Sequence, residues 1–381
     1  MGSRYEQDFA KFFNASYAFS FWKGRVALYA ILRAMGVGQG DEVVLPGYTC
    51  VMDVNPVKYL GGKPIYVDIE PETFNINMEF LQEKITPNTK VIIAQHTYGY
   101  PCDMDSIMDI SEKNDIPVIE DCCLSLGSKY KGKTVGTFGR AAYFSFQWNK
   151  PFTTGLGGMA LINDSELAEK IESQRTEACK PSKKEVLMLA LQLAIYRAFV
   201  YPRTTALAQR VFRYLTKKGT VVGSSSTSEF NPVMADDFFK GMSNIQAKSG
   251  LRQLKKIEQN IAHRKRMAQL YDQLLDEHGW ISRKYDRSIM DPVMVRYPVR
   301  IAEKDKALAE AAEAGIELGS WFECPLHPME TPLDAYDYKT GMCPEAEKAS
   351  REVVNLPLHP RVNEKTAKKT VEFITRFTQV A

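Results

Sequence analysis

The sequence is poor in the features that mark several common classes of protein. It has 7 cysteines in 381 residues, an odd number without framework spacing, which predicts a protein of a reducing compartment. The adjacent Cys122 and Cys123 would point to opposite faces of a strand and make a poor metal pair. A net charge of +3 is too small to indicate nucleic acid as a partner. Residues 1–13 are polar and charged, unlike a signal peptide, so we expect a cytoplasmic protein. We expect no metal site.

Short apolar segments alternate with helical ones through the first half of the chain. The pattern predicts a helix over 24–35 and strands over 42–46, 63–68, 90–96, 117–121 and 141–146. Apolar strands separated by helices indicate a mostly parallel sheet with both faces covered, which is an α/β fold.

The second half predicts a smaller domain. Residues 245–275 have the pattern of one long amphipathic helix that leads into it. A strand over 293–301 and helices over 304–314, 344–351 and 364–377 follow. We therefore expect a large domain over 1–250, with a helical insertion at about 180–225, and a small domain over 251–381.

The segment 186–218 has an unusual composition. Residues 186–202 are almost wholly apolar and residues 203–218 are basic, with no acidic residue between Val186 and Lys218. One interpretation is a helical hairpin packed on the protein body or on a partner subunit. The other is an interfacial helix that contacts an anionic membrane, because basic residues beside apolar surface favour anionic head groups. The second interpretation predicts peripheral membrane association.

Two functional groups follow buried strands. Lys150 comes after the strand 141–146 and before a glycine-rich turn, and Asp121 ends the strand 117–121. Alone, such a lysine is usually a surface residue, and such an aspartate is often a helix cap. Together, an amine that can form a Schiff base and a carboxylate that can hold a protonated pyridine nitrogen are what pyridoxal phosphate needs.

The sequence resembles a known family over nearly its whole length. It is similar to the fold-type I, pyridoxal-phosphate-dependent aminotransferases of the DegT/StrS type. The resemblance rests on a combination of short motifs: Gly40-Asp-Glu-Val-Val-Leu-Pro46, Gly62-Lys-Pro-Ile-Tyr-Val-Asp68, His96-Thr-Tyr-Gly99, Ile119-Glu-Asp121, Phe144-Ser-Phe146 with Lys150, Gln246-Ala247 and Leu356-Pro-Leu-His-Pro360.

The resemblance implies an aspartate-aminotransferase-like fold: a three-layer αβα large domain with a smaller α+β C-terminal domain. It makes Lys150 the Schiff-base lysine and proton shuttle, and Asp121 the partner of the pyridinium nitrogen. It assigns the phosphate to Ser145 and to the helix start Gly24-Arg25-Val26, where backbone N–H groups and the helix dipole attract anions.

The sequence departs from the family pattern around the expected cofactor. Cys50 replaces an aromatic residue, which leaves Tyr48 as a candidate to stack on the cofactor ring. Leu124 replaces a polar contact to the cofactor's 3′-oxygen, and Leu156 replaces a glutamate in the glycine-rich turn.

The family also builds each active site from two subunits, which implies a homodimer. Phe239 falls where a neighbouring subunit often supplies an asparagine to the phosphate, so Lys240 is the candidate replacement. His96 and His327 are candidate substrate contacts, with a structural histidine as the alternative for each.

The implied activity is transfer of an amino group from glutamate to a keto-sugar carried on a nucleotide, for surface polysaccharides or secondary metabolites. A transaminase for a non-sugar ketone stays open. So does a non-catalytic relative that serves as a scaffold in envelope-polysaccharide assembly.

Overall fold

A seven-stranded sheet forms the centre of the part of the chain that the computed structural model describes, residues 2–197, 227–281 and 285–380. Its spatial order is β1-β10-β9-β6-β5-β2-β4. All neighbours pair in parallel except β10, which runs antiparallel to both β1 and β9. The strands are β1 (Tyr17–Phe21), β2 (Glu42–Pro46), β4 (Lys63–Val67), β5 (Thr89–Gln95), β6 (Val118–Asp121), β9 (Ala141–Ser145) and β10 (Gly158–Ile162).

Helices cover both faces of this sheet, as its apolar sequence requires. Along β2, Val43 packs on the same side as Leu28 of a helix, and Val44 packs on the other side with Ile107. The large-domain helices are α1 (Gly2–Phe13), α2 (Gly24–Ala34), α3 (Val51–Tyr59), α4 (Met78–Lys84), α5 (Met104–Asn114), α6 (Ser165–Arg175) and α7 (Lys183–Ile195). The predicted three-layer α/β fold is therefore confirmed.

The predicted helix over 245–275 is two helices, α8 (Asn244–Leu254) and α9 (Ile257–Glu277). The chain leaves helical geometry at Lys256, where φ is −117° and ψ is 4°. The two helices on either side of this break pack on different parts of the protein. Helix α8 packs on α1, with Gly250 against the ring of Tyr5, and α9 packs on the last helix of the chain. The prediction of one continuous helix was wrong because the periodicity of its apolar residues does not reveal this change of partner.

The C-terminal part is built on the antiparallel pair β12 (Arg296–Arg300) and β14 (Val353–Pro357). Its helices are α10 (Lys304–Glu313), α11 (Pro344–Glu352) and α12 (Glu364–Ile374). A short strand β13 (Leu326–His327) pairs in parallel with β3 (Thr49–Cys50) and so attaches this part to the large domain. Further short strands are β7 (Lys129–Tyr130), β8 (Lys133–Thr134) and β11 (Met290–Asp291). The domain boundary at residue 250 stays a prediction.

Helix α7 begins the segment for which membrane contact was predicted. A capping box between Ser182 and Glu185 starts it, and Leu189 and Leu193 pack on the body. Three exposed side chains, Leu187, Leu191 and Ile195, follow its outer face at intervals of four. The basic residues of 203–218 lie outside the described residues, so the membrane contact stays a prediction. Within the described residues, no helix is long and apolar enough to cross a bilayer.

Candidate active site

One cleft lies at the carboxyl edge of the parallel strands, where α/β proteins place their ligands. Its empty volume is about 620 Å³ when its opening to solvent is included. Residues from β5, β6 and β9 meet there with the start of α2 and with a loop of the C-terminal part. The predicted residues Gly24, Arg25, Asp121, Ser145 and Lys150 all line it.

The start of α2 lies against the end of β9 because residue 24 has no side chain. A Cβ on Gly24 would be 2.8 Å from the Cβ of Ser145 and 3.2 Å from the carbonyl oxygen of Phe144. The close approach puts the first turn of the helix and the Ser145 hydroxyl on the same wall of the cleft. A helix N-terminus beside a hydroxyl group is suited to hold a phosphate.

Two cations strengthen this end of the cleft. The Arg25 guanidinium, with only 5% of its side chain exposed, lies 2.8 Å from a carboxylate oxygen of Glu229. The ammonium of Lys23 lies 3.0 Å from the same oxygen. Burial, with Arg25 adding to it, lowers the pKa of Lys23 to about 8. Two cations facing one carboxylate leave net positive charge for a bound anion.

Asp121 is the last residue of β6 and is buried at the base of the cleft. One of its carboxylate oxygens accepts a hydrogen bond of 2.8 Å from the backbone N–H of Cys123. The strand pairing sets Asp121 beside Tyr143 of β9. A fixed carboxylate in this position can bind a protonated ring nitrogen through a charge-assisted hydrogen bond.

Lys150 lies in the turn after β9. Its backbone N–H donates to the carbonyl of Gln147, and its ammonium lies 4.8 Å from the ring centroid of Trp321. Trp321 belongs to the loop before β13, so the C-terminal part supplies a wall of the cleft. A cation over an indole ring is stabilised by the ring's negative face. The aromatic contact therefore holds the amine inside the cleft.

Part of the cleft wall is apolar. Cys50, Leu124 and Phe322 line it, and burial raises the pKa of the Cys50 thiol to about 12. Tyr48, the predicted ring-stacking residue, does not line the cleft. It is fully buried, and its hydroxyl bonds to that of Tyr98 at 2.9 Å. The geometry gives no support to Tyr48 as a ring-stacking residue, because its side chain points into the core between the two halves of the chain.

Leu156, another departure from the family pattern, also lines the cleft. It packs in one apolar cluster with Trp22, Trp148 and the α7 residues Leu189 and Leu193. An apolar side chain therefore suits this turn because α7 covers it.

His96 does not reach the cleft. It is fully buried, its Nδ1 accepts the backbone N–H of Cys102, and its Nε2 lies 3.2 Å from Glu120. The Glu120 carboxylate also accepts three backbone N–H groups, from Gly136, Phe138 and Gly139. Cys122 lies close enough to complete a set of metal-ligand types, but this hydrogen-bond network already accounts for the buried carboxylate. The geometry supports a structural histidine, not a substrate contact.

His327 lies beside the cleft and pairs in register with Cys50 across β13 and β3. Burial lowers the pKa of His327 to about 4, against the opposing effect of Glu323 and Glu330. Its ring is therefore neutral near pH 7. Its buried Nδ1 has no hydrogen-bond partner among the described residues. The role of His327 as a substrate contact stays a prediction.

Val26 and Lys240, both predicted to bind the phosphate, lie outside the cleft lining. The Val26 N–H donates to the carbonyl of Lys23 within the first turn of α2. The Lys240 ammonium is 2.7 Å from Glu185 and 2.5 Å from Asp237 of its own chain. Because two carboxylates already engage that ammonium, the geometry gives no support to Lys240 as a phosphate ligand.

Lys23, Asp53 and Trp321 are among the cleft residues that the sequence predictions missed. Lys23 directly precedes the predicted phosphate turn, so its position was a usable signal. Asp53 lies in the first turn of α3, where an acidic residue is common because it interacts favourably with the helix dipole. Trp321 lies far along the chain from Lys150, and tertiary contacts such as the pairing of β13 with β3 bring it to the cleft.

The donor set of the cleft fits pyridoxal 5′-phosphate. The cationic end with Arg25 and Ser145 suits a phosphate, and the apolar side chains of the wall suit a flat ring. Asp121 suits the ring nitrogen and Lys150 suits the aldehyde. The space that the absent side chain of Gly24 leaves is part of that fit, since any Cβ there would meet backbone atoms of β9.

Comparison with known proteins agrees with this interpretation. A sequence model described as the DegT/DnrJ/EryC1/StrS aminotransferase family matches residues 2–193 and 203–375. A GDP-perosamine synthase of Escherichia coli O157:H7 is 32% identical over 98% of this chain and 89% of its own length. A UDP-2-acetamido-2-deoxy-3-oxo-D-glucuronate aminotransferase of Pseudomonas aeruginosa is 32% identical over 93% of this chain and 84% of its own.

Solved structures share the fold. A putative sugar aminotransferase from Streptococcus pneumoniae, in its PLP form, superposes with a TM-score of 0.74 at 22% identity. The superposition covers 98% of this chain and 90% of that one.

Proposed function

Because this chain belongs to the DegT/DnrJ/EryC1/StrS aminotransferase family, we propose that it moves an amino group from glutamate to a keto-sugar carried on a nucleoside diphosphate. The enzyme is an aminotransferase, and its cofactor is pyridoxal 5′-phosphate. The observation that carries the proposal is the meeting of Lys150, Asp121 and the cationic end of the cleft in one pocket. Relatives named for GDP- and UDP-linked sugars support a nucleotide-linked acceptor.

Each residue has a separate task in the proposed site. The cofactor, when bound, supplies a carbonyl carbon that takes up amines and a ring that accepts electrons. Lys150 supplies the amine that reaches that carbon, and its Nζ takes and returns a proton during transfer. Asp121 keeps the ring nitrogen protonated through charge. Arg25, Lys23, Ser145 and the start of α2 anchor the phosphate.

The cleft wall is partly apolar, because Leu124, Phe322 and Trp321 contribute to it. Apolar surface beside Lys150 and Asp121 strengthens their electrostatic contacts, because fewer water molecules screen them. Trp321 also orients the lysine amine before the cofactor binds.

We propose a homodimer, because the family builds each active site from two subunits. We also propose a role in making amino sugars for surface polysaccharide or secondary metabolites. A transaminase for a non-sugar ketone is the alternative that the same pocket would serve. A non-catalytic scaffold receives no support from a cleft that keeps the lysine, the aspartate and the phosphate cations together.

The test is a direct amination assay. The purified enzyme with pyridoxal phosphate and nitrogen-15 glutamate would be given a panel of GDP-, UDP- and dTDP-linked keto-sugars, with inosose as a non-sugar ketone. Mass spectrometry should find labelled amine on a nucleotide-linked sugar. Lys150→Ala should give none, and Lys129→Ala, at an exposed lysine outside the cleft, should match wild type. Amination of inosose alone would contradict the sugar assignment.

A further inference from the structure

Asp53 is a second carboxyl group in the cofactor cleft, and the proposed chemistry does not use it. We propose that Asp53 holds a proton in the cofactor-free enzyme and releases it when the cofactor ring binds against Asp121, which couples cofactor binding to pH. The proposal rests on the pocket assigned above. Asp53 would act as a proton-holding residue that controls the charge next to Asp121.

The hydrogen bonds around Asp53 favour a protonated carboxyl group. The side-chain amide of Gln95 donates to the carbonyl of Tyr48 and to the hydroxyl of Thr97, both at 2.9 Å. Its orientation therefore turns the amide oxygen toward Thr49, whose hydroxyl lies 2.5 Å away and donates to it. A hydroxyl has one hydrogen, so the hydrogen of Thr49 is committed to Gln95.

A hydrogen bond between Thr49 and Asp53 therefore needs a hydrogen atom from the Asp53 carboxyl group. Oδ2 of Asp53 lies 3.3 Å from the Thr49 hydroxyl oxygen. With the Thr49 hydrogen already used, a proton on Oδ2 is what makes this contact a hydrogen bond. Oδ1 of Asp53 accepts from the hydroxyl of Tyr143 at 2.9 Å. A neutral carboxylic acid, donor on one oxygen and acceptor on the other, matches both neighbours.

Burial and the surrounding charges also favour the protonated form of Asp53. Burial and, after it, the negative charge of Asp121 raise the pKa of Asp53 to about 7, while the hydrogen bond from Tyr143 and the charge of Lys150 oppose that rise. Burial also keeps the pKa values of Cys50, Cys123 and Tyr143 high, so these groups stay neutral. Arg25 is the other nearby cation, and it acts on Cys50. Near neutral pH, Asp53 is the group of this set that exchanges a proton with solvent.

A bound cofactor ring adds a positive charge at Asp121, and that charge favours the ionised form of Asp53. The Asp53 carboxyl group then gives its proton to the buffer and becomes a carboxylate. The direction follows from linkage: a group whose pKa falls on binding releases protons, and binding tightens as pH rises toward the pKa of the free enzyme. With a pKa of about 7 in the free enzyme, this effect is at most about fivefold in affinity between pH 6 and 7.

The test measures protons released on binding. The probe is pyridoxine 5′-phosphate, which has the ring and phosphate but cannot react with Lys150. Calorimetry at pH 6 in two buffers of different ionisation enthalpy counts the protons. Asp53→Asn keeps a donor for Thr49 and an acceptor for Tyr143 but cannot ionise. The control is Asp272→Asn, another buried aspartate that accepts a tyrosine hydroxyl, from Tyr297, away from the cleft.

Wild type and the Asp272→Asn variant should release nearly one proton more than the Asp53→Asn variant at pH 6. Between pH 6 and 7, the Kd of the Asp53→Asn variant should fall less than that of wild type, because the variant has no Asp53 proton to release. Its thermal stability at pH 6 should equal that of wild type, since the amide reproduces the protonated acid. Equal proton counts in all three proteins would overturn the role of Asp53. Failure of wild type to bind the probe would instead overturn the pocket assignment.

Discussion

A single methyl group placed at Gly24 tests how the phosphate end of the cleft is built. In Gly24→Ala the new Cβ would lie 2.8 Å from the Cβ of Ser145 and 3.1 Å from its Cα. These are atoms of β9 close to its backbone, so a change of side-chain rotamer cannot remove the clash. The start of α2 must then move away from the strand, and the cationic end of the cleft must open.

The expected cost follows from overpacking, which typically amounts to about 1–3 kcal/mol. Alanine is a better helix former than glycine by up to about 1 kcal/mol, which offsets part of the loss in stability. It does not restore the geometry of the cleft. If the strain falls on the binding site, affinity for pyridoxal phosphate should decrease by about 5- to 150-fold.

The assay is a titration with pyridoxal phosphate followed by quenching of tryptophan fluorescence, because Trp321 lines the cleft. The matched control is Gly241→Ala, where a Cβ would meet nothing within 4 Å. The control should bind like wild type, and Gly24→Ala should bind more weakly with at most a small change in Tm. Wild-type affinity in Gly24→Ala would refute the assignment of this helix start to the phosphate.

Three further substitutions test other parts of the site. Asp121→Asn removes a charge-assisted hydrogen bond worth about 1.5–3 kcal/mol, so the variant should fold normally but bind pyridoxal phosphate about 10- to 150-fold more weakly by the same titration. Arg25→Gln should weaken binding and flatten its salt dependence, whereas Arg33→Gln, at an exposed ion pair on the same helix, should change neither. For His327, a pKa of about 4 in the fold against 6.5 in the unfolded chain means that the unfolded state binds the extra proton. Acidification from pH 7 to 5 should therefore destabilise wild type by up to about 2 kcal/mol more than His327→Gln in urea unfolding, and equal pH profiles would contradict the buried neutral ring.

The sequence was most informative where function depends on neighbouring strands. Asp121 and Ser145 end adjacent parallel strands, so their nearness follows from the alternation of strands and helices alone. The same pattern predicted most strands of the central sheet to within a residue or two. Local periodicity is a direct consequence of burial, which explains why it was reliable there.

The sequence was less informative where a side chain depends on contacts far along the chain. Tyr48 was expected at the cofactor ring, but the hydroxyl of Tyr98 and the loop at Phe322 hold it in the core. The aromatic wall of the cleft is Trp321, brought there by the pairing of β13 with β3. His96 follows a strand, as a functional residue would, yet Glu120 and the backbone of Cys102 engage its ring. No local pattern encodes these tertiary partners.

The identity of the lysine that binds the cofactor is the central claim, and chemical trapping measures it directly. The enzyme loaded with pyridoxal phosphate would be reduced with sodium borohydride, digested and mapped by mass spectrometry. Reduction should abolish the absorbance band of the bound cofactor and leave one stoichiometric pyridoxyl group on the peptide containing Lys150. Modification spread over surface lysines, or a stoichiometric group on Lys23 in place of Lys150, would contradict the assignment.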